Sequence, residues 1–244
     1  MIYQLLLCID QIAGRMQDAM TGDTVLTRAA PKLSQIAYRR FKEALFERRI
    51  TAGSTVSQAL LVEITGVPIS PLREALQVLE AEGLVQILPR SGIRIAKPDL
   101  ALVRNAFQLR SMLEVPAVRH AAEAMPQARL ESFLQEHQDL LGRTPGLEVT
   151  PEAADEAHEV DFGLHLGVIG FMANPLLDRA YRQVHDHLRL VRLDQAYMYS
   201  AAAIARTMQE HIANIRACLA RHPDAAAAAL EHHFAKAMQR ALGL

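Results

Sequence analysis

Val67-Pro68-Ile69-Ser70-Pro71-Leu72-Arg73-Glu74-Ala75-Leu76-Gln77-Val78-Leu79-Glu80-Ala81-Glu82-Gly83 sets the architecture of the first half of the chain. Ser70 is a good helix cap, and Pro71 suits the first helical position, where its missing N–H breaks no hydrogen bond. Leu72, Ala75, Leu76 and Leu79 then recur at helical spacing and predict one inward face. Upstream, Ile36, Phe41, Ala44 and Leu45 predict a helix over 34–48, ended by the turn Ile50-Thr51-Ala52-Gly53. Ser57 can cap a short second helix with Leu60, Leu61 and Ile64 inward, and Gly66 suits its left-handed end. Downstream, 84–88 and 93–95 alternate as strands around the turn Pro89-Arg90-Ser91-Gly92. Three short helices and a two-stranded ribbon are the parts of a winged helix-turn-helix. The same parts also fit a small α+β domain with no nucleic-acid role.

Composition adds an asymmetry. The chain has 244 residues and a net charge of -1, so it is no polycation. Residues 31–98 nevertheless carry ten Lys/Arg against six Asp/Glu. All ten histidines lie between His120 and His233. A basic, His-free front and an acidic, His-rich back predict two domains with different tasks, 31–98 and 99–244, with the boundary at Pro98. Trp is absent, which argues against an aromatic platform for single strands. Cys8 and Cys218 form no CxxC pair, so a disulfide framework is excluded and the cytosol is the expected compartment. No apolar run approaches the roughly 20 residues of a membrane span, and no membrane partner is expected. Residues 1–30 form an extension. Ile2, Leu5, Leu6, Ile9, Ile12, Met16 and Met20 have helical spacing, but a true start at Met16 or Met20 fits equally well.

From Leu100 onward strand signals vanish. Helix starts are expected at Asp99, Thr150-Pro151, Asn174-Pro175 and Asp224, with breaks at Met125-Pro126, 142–146, 170–174 and His222-Pro223. The overall fold class is therefore mainly α: a winged helix-turn-helix followed by an antiparallel bundle of five or six helices. Asp161 and His165 are four apart and share one helix face. With imidazoles from other helices, such as His211 and His233, they could hold a divalent ion. Three neutral imidazoles and one carboxylate suit zinc, nickel or manganese better than calcium. Ten histidines also pair on helix faces by chance, so spacing alone leaves the site open. His158-Glu159 begins like a metalloprotease H-E-x-x-H, but Phe162 stands where the second His belongs. A metal-dependent hydrolase stays a minor alternative, as does a regulator that has lost its metal or effector.

The front half resembles the DNA-binding domain of the GntR family of bacterial transcription regulators. The likeness rests on Ala52-Gly53-Ser54, Val56-Ser57-Gln58, Gly66-Val67, Ser70 to Leu76, Leu79 to Val85 and Gly92. It implies that Arg73 reads a base edge from the recognition helix and that Ser70 meets a phosphate or base. It also implies that Ser57 and Gln58 touch the backbone and that Arg90, Ser91 and Gly92 place the wing tip in the minor groove. Where the family often has Ser-Arg, this chain has Pro68-Ile69, so Ile69 could instead contact a thymine methyl.

The back half resembles the FCD-type ligand-binding domain of the FadR-like branch. It carries Gln108 to Glu114, Asp161-Phe162-Gly163-Leu164-His165, Asn174-Pro175-Leu176-Leu177 and Glu210-His211 in the expected order. The resemblance implies a divalent metal on Asp161, His165, His211 and His233, with His232 a rival to His233. It implies a small carboxylate effector, bound by the metal and by Arg110, with Arg189 and Arg192 as further candidates for the pocket wall. The bland alternative for Arg110 is an i,i+4 pair with Glu114 on a solvated face. A homodimer reading a near-palindromic DNA operator follows from the same likeness.

Overall fold

A computed structural model describes residues 30–194 and 200–243. The readings of residues 1–29, Cys8 included, lie outside the described residues. The described part from Leu33 onward packs as one unit. No helix within it is long and apolar enough to cross a membrane.

The front half holds α1 (Leu33–Phe46), β1 (Thr55–Val56), α2 (Gln58–Thr65), α3 (Ile69–Ala81), β2 (Val85–Leu88) and β3 (Gly92–Ile95). Ala37, Phe41, Ala44 and Leu45 of α1 face Leu72, Ala75, Leu76 and Leu79 of α3 in a single core. Ser57 caps α2 by accepting from the Leu60 N–H, and Gly66 ends it at φ 62°. Within α2 only part of the expected face turns inward. Leu61 and Thr65 are buried, whereas Leu60 is exposed. Thr65 fits because its hydroxyl donates to the Leu61 carbonyl at 2.6 Å.

The third helix starts at Ile69, with Pro68 as its extended flanking residue and no side-chain cap. Ser70 is therefore inside the first turn rather than before it. Pro71 is tolerated there because the first N–H groups of a helix have no intrahelical acceptor. The first helical bond runs from the Leu72 N–H to the Pro68 carbonyl.

The expected ribbon is present and gains a third strand. The order is β1-β3-β2, antiparallel, with Leu88 opposite Gly92 and Thr55 opposite Arg94. Gly92 has φ +107°, and a Cβ there would lie 2.6 Å from the Val56 carbonyl oxygen. The bare backbone at Gly92 is what lets β1 join the wing.

Six helices follow: α4 (Leu100–Ala124), α5 (Gln127–Arg143), α6 (Pro151–Phe171), α7 (Pro175–Asp194), α8 (Ala201–Leu219) and α9 (Pro223–Ala241). Asp99, Thr150 and Ser200 cap three of them, and Asn174 Oδ1 accepts from the Leu176 and Leu177 N–H groups. The last helix begins at Pro223, one residue before the expected Asp224, which instead pairs with Arg119. Helix α9 packs on α8 and α4, and α8 packs on α5. Their shared core includes Val118, Phe133, Ile169, Tyr181, Ile215 and Phe234.

A Gly92→Ala substitution should destabilise the chain by about 1–3 kcal/mol, since it combines backbone strain with a backbone clash. Urea unfolding followed by circular dichroism measures this. A change within a few tenths of a kcal/mol would mean the wing relaxes without β1.

Candidate functional site

Two groups of side chains stand out: an exposed face on the winged helix-turn-helix and a buried polar layer in the bundle. On the first, Ile69, Ser70 and Arg73 are exposed along one end of α3. The Arg73 Nε donates to Gln58 Oε1 at 3.1 Å, which ties α3 to α2 and steadies the guanidinium. Arg73 therefore finds an amide partner rather than the carboxylate of an ordinary surface pair. Ser57 has its hydroxyl oxygen committed to the α2 cap at 3.1 Å. Arg90 and Ser91 form the exposed wing tip, with Arg90 at φ 65°. Gly92 is half-buried, and its requirement is structural, as shown above. Arg94 is an exposed wing residue that sequence reasoning passed over; alternation along β3 would have flagged it.

The buried layer gathers Asp161 and His165 from α6, His211 from α8 and His233 from α9. One ligand atom from each lies within 4.8 Å of the others, and all four residues are buried. His211 Nε2 is 3.2 Å from His233 Nε2 and 3.6 Å from Asp161 Oδ1; His165 Nε2 is 3.9 Å from the same oxygen. Each imidazole is oriented by an outer partner on its Nδ1. Glu114 Oε2 takes His165 at 2.5 Å, and Glu210 Oε2 takes His233 at 2.8 Å. His211 Nδ1 meets His137 Nε2 at 3.1 Å, and His137 Nδ1 donates to the Phe133 carbonyl at 2.7 Å. That chain of donors places the hydrogens on the outer nitrogens and leaves the inner lone pairs free.

Burial pushes the His211 imidazole well below its usual range and His233 down to about 4, so both are neutral at pH 7. Asp161 stays ionised. Burial alone would raise it, but the Arg192 guanidinium beside it holds it well below the usual carboxylate range. His165 Nε2 is buried with no hydrogen-bond partner among the described residues. Lone pairs facing each other at 3.2 Å need something electropositive between them. Two nitrogens about 2.0–2.1 Å from a shared tetrahedral ion sit about 3.3 Å apart. The donor set thus fits a divalent transition metal, and His233, rather than His232, belongs to it.

A cavity of about 310 Å³ opens beside this cluster. Arg110, Arg192, Arg206 and Arg240 line it with His158 and His233, and Asp161 is the one carboxylate among the described lining residues. Arg110 does pair with Glu114, Nε to Oε1 at 2.6 Å, but the pair is buried rather than solvated. The Arg110 Nη2 lacks a hydrogen-bond partner among the described residues. Arg192 donates to Asp161 Oδ2 and His158 Nδ1, both at 2.7 Å. Arg189 departs from expectation. Its guanidinium lies 3.9 Å from the centroid of the Phe46 ring, on α1, and it is absent from the cavity wall. Three positions along a helix leave two side chains about 60° apart, enough here for Arg192 to reach Asp161 while Arg189 turns to Phe46. Glu114, His137 and Glu210 complete the layer and were missed as site residues. Glu210, adjacent to His211, and Glu114, four residues after Arg110, carried a signal in the sequence, and His137 carried none.

Comparison with known proteins bears on the family and the fold. Residues 105–236 match the FCD domain family, and residues 33–95 match the family described as bacterial regulatory proteins, gntR family. The chain belongs to the GntR family and carries an FCD domain. Among individual relatives, the HTH-type transcriptional repressor RspR of Escherichia coli K12 is 28% identical over 147 residues. That alignment spans 60% of this chain and 61% of RspR. The repressor NanR of Citrobacter rodentium is 27% identical across 88% of each chain. Escherichia coli McbR/YncC shares the fold with a TM-score of 0.71 at 16% identity, over 88% of this chain and 99% of its own. A GntR regulator of Rhodococcus sp. RHA1 does so at 0.67 and 18% identity, over 86% of this chain and 97% of its own. The matched families and relatives are transcription regulators rather than enzymes.

Glu114 yields a pH prediction. Burial would raise its carboxyl, but Arg110 and His165 hold it at about 2 against an ordinary 4.5. A depressed carboxylate stabilises the fold above its unfolded pKa and loses that contribution as pH falls through the folded one. The wild type should therefore lose stability between pH 4.5 and about 2 more steeply than Glu114→Gln. Denaturant unfolding at stepped pH checks this; parallel curves would deny Glu114 the role.

Proposed function

We propose that the chain is a ligand-responsive DNA-binding regulator in which residues 31–98 read DNA and residues 99–244 bind effector and dimerise. Arg73, with Ile69 and Ser70 beside it, enters the major groove; Ser57 and Gln58 face the phosphates; Arg90 and Ser91 bring the wing to the minor groove. The exposure of Ser57, Ile69, Ser70, Arg73, Arg90 and Ser91 on one domain supports this assignment. Two copies related by a two-fold axis read a near-palindromic operator. Support for a dimer comes from Leu109 and Met112, large apolar side chains turned outward along α4, Met112 at 63% exposure.

The bundle holds zinc, nickel or manganese on Asp161, His165, His211 and His233. The observation that carries this is the set of inward nitrogens, each with its outer partner, around a buried His165 Nε2 that has none among the described residues. The metal would supply a Lewis-acid contact for an anion. Arg110 would take the same anion through its fork, and a small carboxylate is the effector class that suits both. The arginine-rich cavity wall supports an anionic guest.

Purified protein should enrich a short palindrome from genomic fragments at moderate salt, where charge-driven background is low. Arg73→Ala should weaken that binding by about 1–3 kcal/mol, roughly 5- to 150-fold. Enrichment of no motif would remove the DNA assignment. Elemental analysis should find one transition metal per chain and none in the Asp161→Ala, His211→Ala double variant. Stoichiometric metal in that variant would reject the ligand set.

A further inference from the structure

Helix α7 belongs to the bundle in sequence, yet its two faces serve different bodies. Tyr181, His185, Leu188 and Arg192 follow one another at i, i+4, i+7 and i+11, on the stripe turned into the bundle, and Arg192 among them lines the cavity. His185 stacks on Phe162 of α6 at 3.8 Å between centroids, and Arg192 holds Asp161 and His158. Asp186, Arg189, Leu190 and Leu193 form the other stripe. Every one of them meets the winged helix-turn-helix. Asp186 pairs with Lys42 of α1, Arg189 covers Phe46, and the Leu193 carbonyl accepts from Arg48. Leu190 is fully buried and counts among the core residues of the winged helix-turn-helix, alongside Phe41 and Leu79. Arg192, which touches a candidate metal ligand, is two residues from Leu190.

We infer that α7 is a lever that transmits occupancy of the Asp161 cluster to the DNA-binding domain, with Arg192 as input and the Asp186–Leu190 seat as output. The inference rests on the cation-site reading above. Asp161 now shares its charge with Arg192. A divalent cation on the Oδ1 side draws that charge away and repels the guanidinium, so Arg192 loosens its hold. A packed helix moves as a unit, and the residues seated on α1 move with it. The two sites then influence each other reciprocally. Asp186 and Lys42 are positioning residues and touch no ligand.

The test uses the full chain with zinc ion alone as the probe, followed by hydrogen exchange and by zinc titration. Loading zinc should change exchange in residues 33–46 as well as in 186–193. Lys42→Ala and, with less perturbation, Asp186→Asn should abolish the change in 33–46 while one zinc per chain still binds. Zinc affinity should shift by about fivefold or more in these variants, though neither residue touches the cluster. The exchanged pair Lys42→Asp with Asp186→Lys should restore both readouts, which a merely structural role would not. Tight zinc binding to the wild type with unchanged exchange in 33–46 overturns the lever and leaves the cation site standing. Absence of zinc binding overturns the cation site and the lever with it.

Discussion

Burying imidazoles is costly unless their polar atoms are answered, and that constraint organises the bundle. His165, His211 and His233 sit in the interior, where each Nδ1 must find an acceptor and each acceptor must itself be held. Glu114 is held by Arg110, Glu210 by Arg240, and His137 by the Phe133 carbonyl. Asp161 is held by Arg192. All six bundle helices thereby contribute at least one member of a single polar network. Moving any helix by a turn would leave a buried polar or charged group without its partner, at a cost of about 1–5 kcal/mol. The apolar core supplies most of the cohesion, but this layer fixes the register in which the helices meet.

The winged helix-turn-helix follows the opposite logic. Its interior is mainly a packing problem, solved by Phe41, Leu61, Leu72, Leu76 and Leu79, with Thr65 answered within its own helix. Its polar side chains sit mostly at the surface and pair there, as Tyr38 does with Glu82 and Arg94 with Gln86. Arg73 is an informative case, because Gln58 already restricts its guanidinium. A side chain held in place gives up less rotamer freedom when it meets a base edge than one that is free in solvent. Buried polar groups thus serve the bundle, and exposed ones serve the front domain.

These different logics decide what the sequence makes legible. The α3 face of Leu72, Ala75, Leu76 and Leu79 follows from helical spacing, and the caps at Asp99, Thr150 and Asn174 follow from local chemistry. Local chemistry misleads at Ser70, where the chain enters the helix two residues earlier through Pro68-Ile69. It misleads also at Asp224, whose carboxylate is engaged by Arg119. Asp161 and His165 announce themselves by spacing, but His211 and His233 were chosen through family resemblance. His137 carries no local mark and Glu114 only its spacing from Arg110, since their roles arise when α5 meets α8 and α4 meets α6. Arg189 was misplaced for the same reason. Which side of α7 faces the cavity depends on tertiary packing, and the helix is amphipathic towards two different partners.

The seat of Leu190 bears on how such chains can be rearranged. The sequence suggests a modular molecule, with a reading head and a sensing body joined near Pro98. The head's own core nevertheless borrows a side chain that the ribosome adds about ninety residues after that joint. Recombination at the joint would bring a foreign helix to this dent, and with it a foreign Asp186, Arg189 and Leu190. Heads and bodies of this kind are interchangeable only where both halves of that remote seat are inherited together.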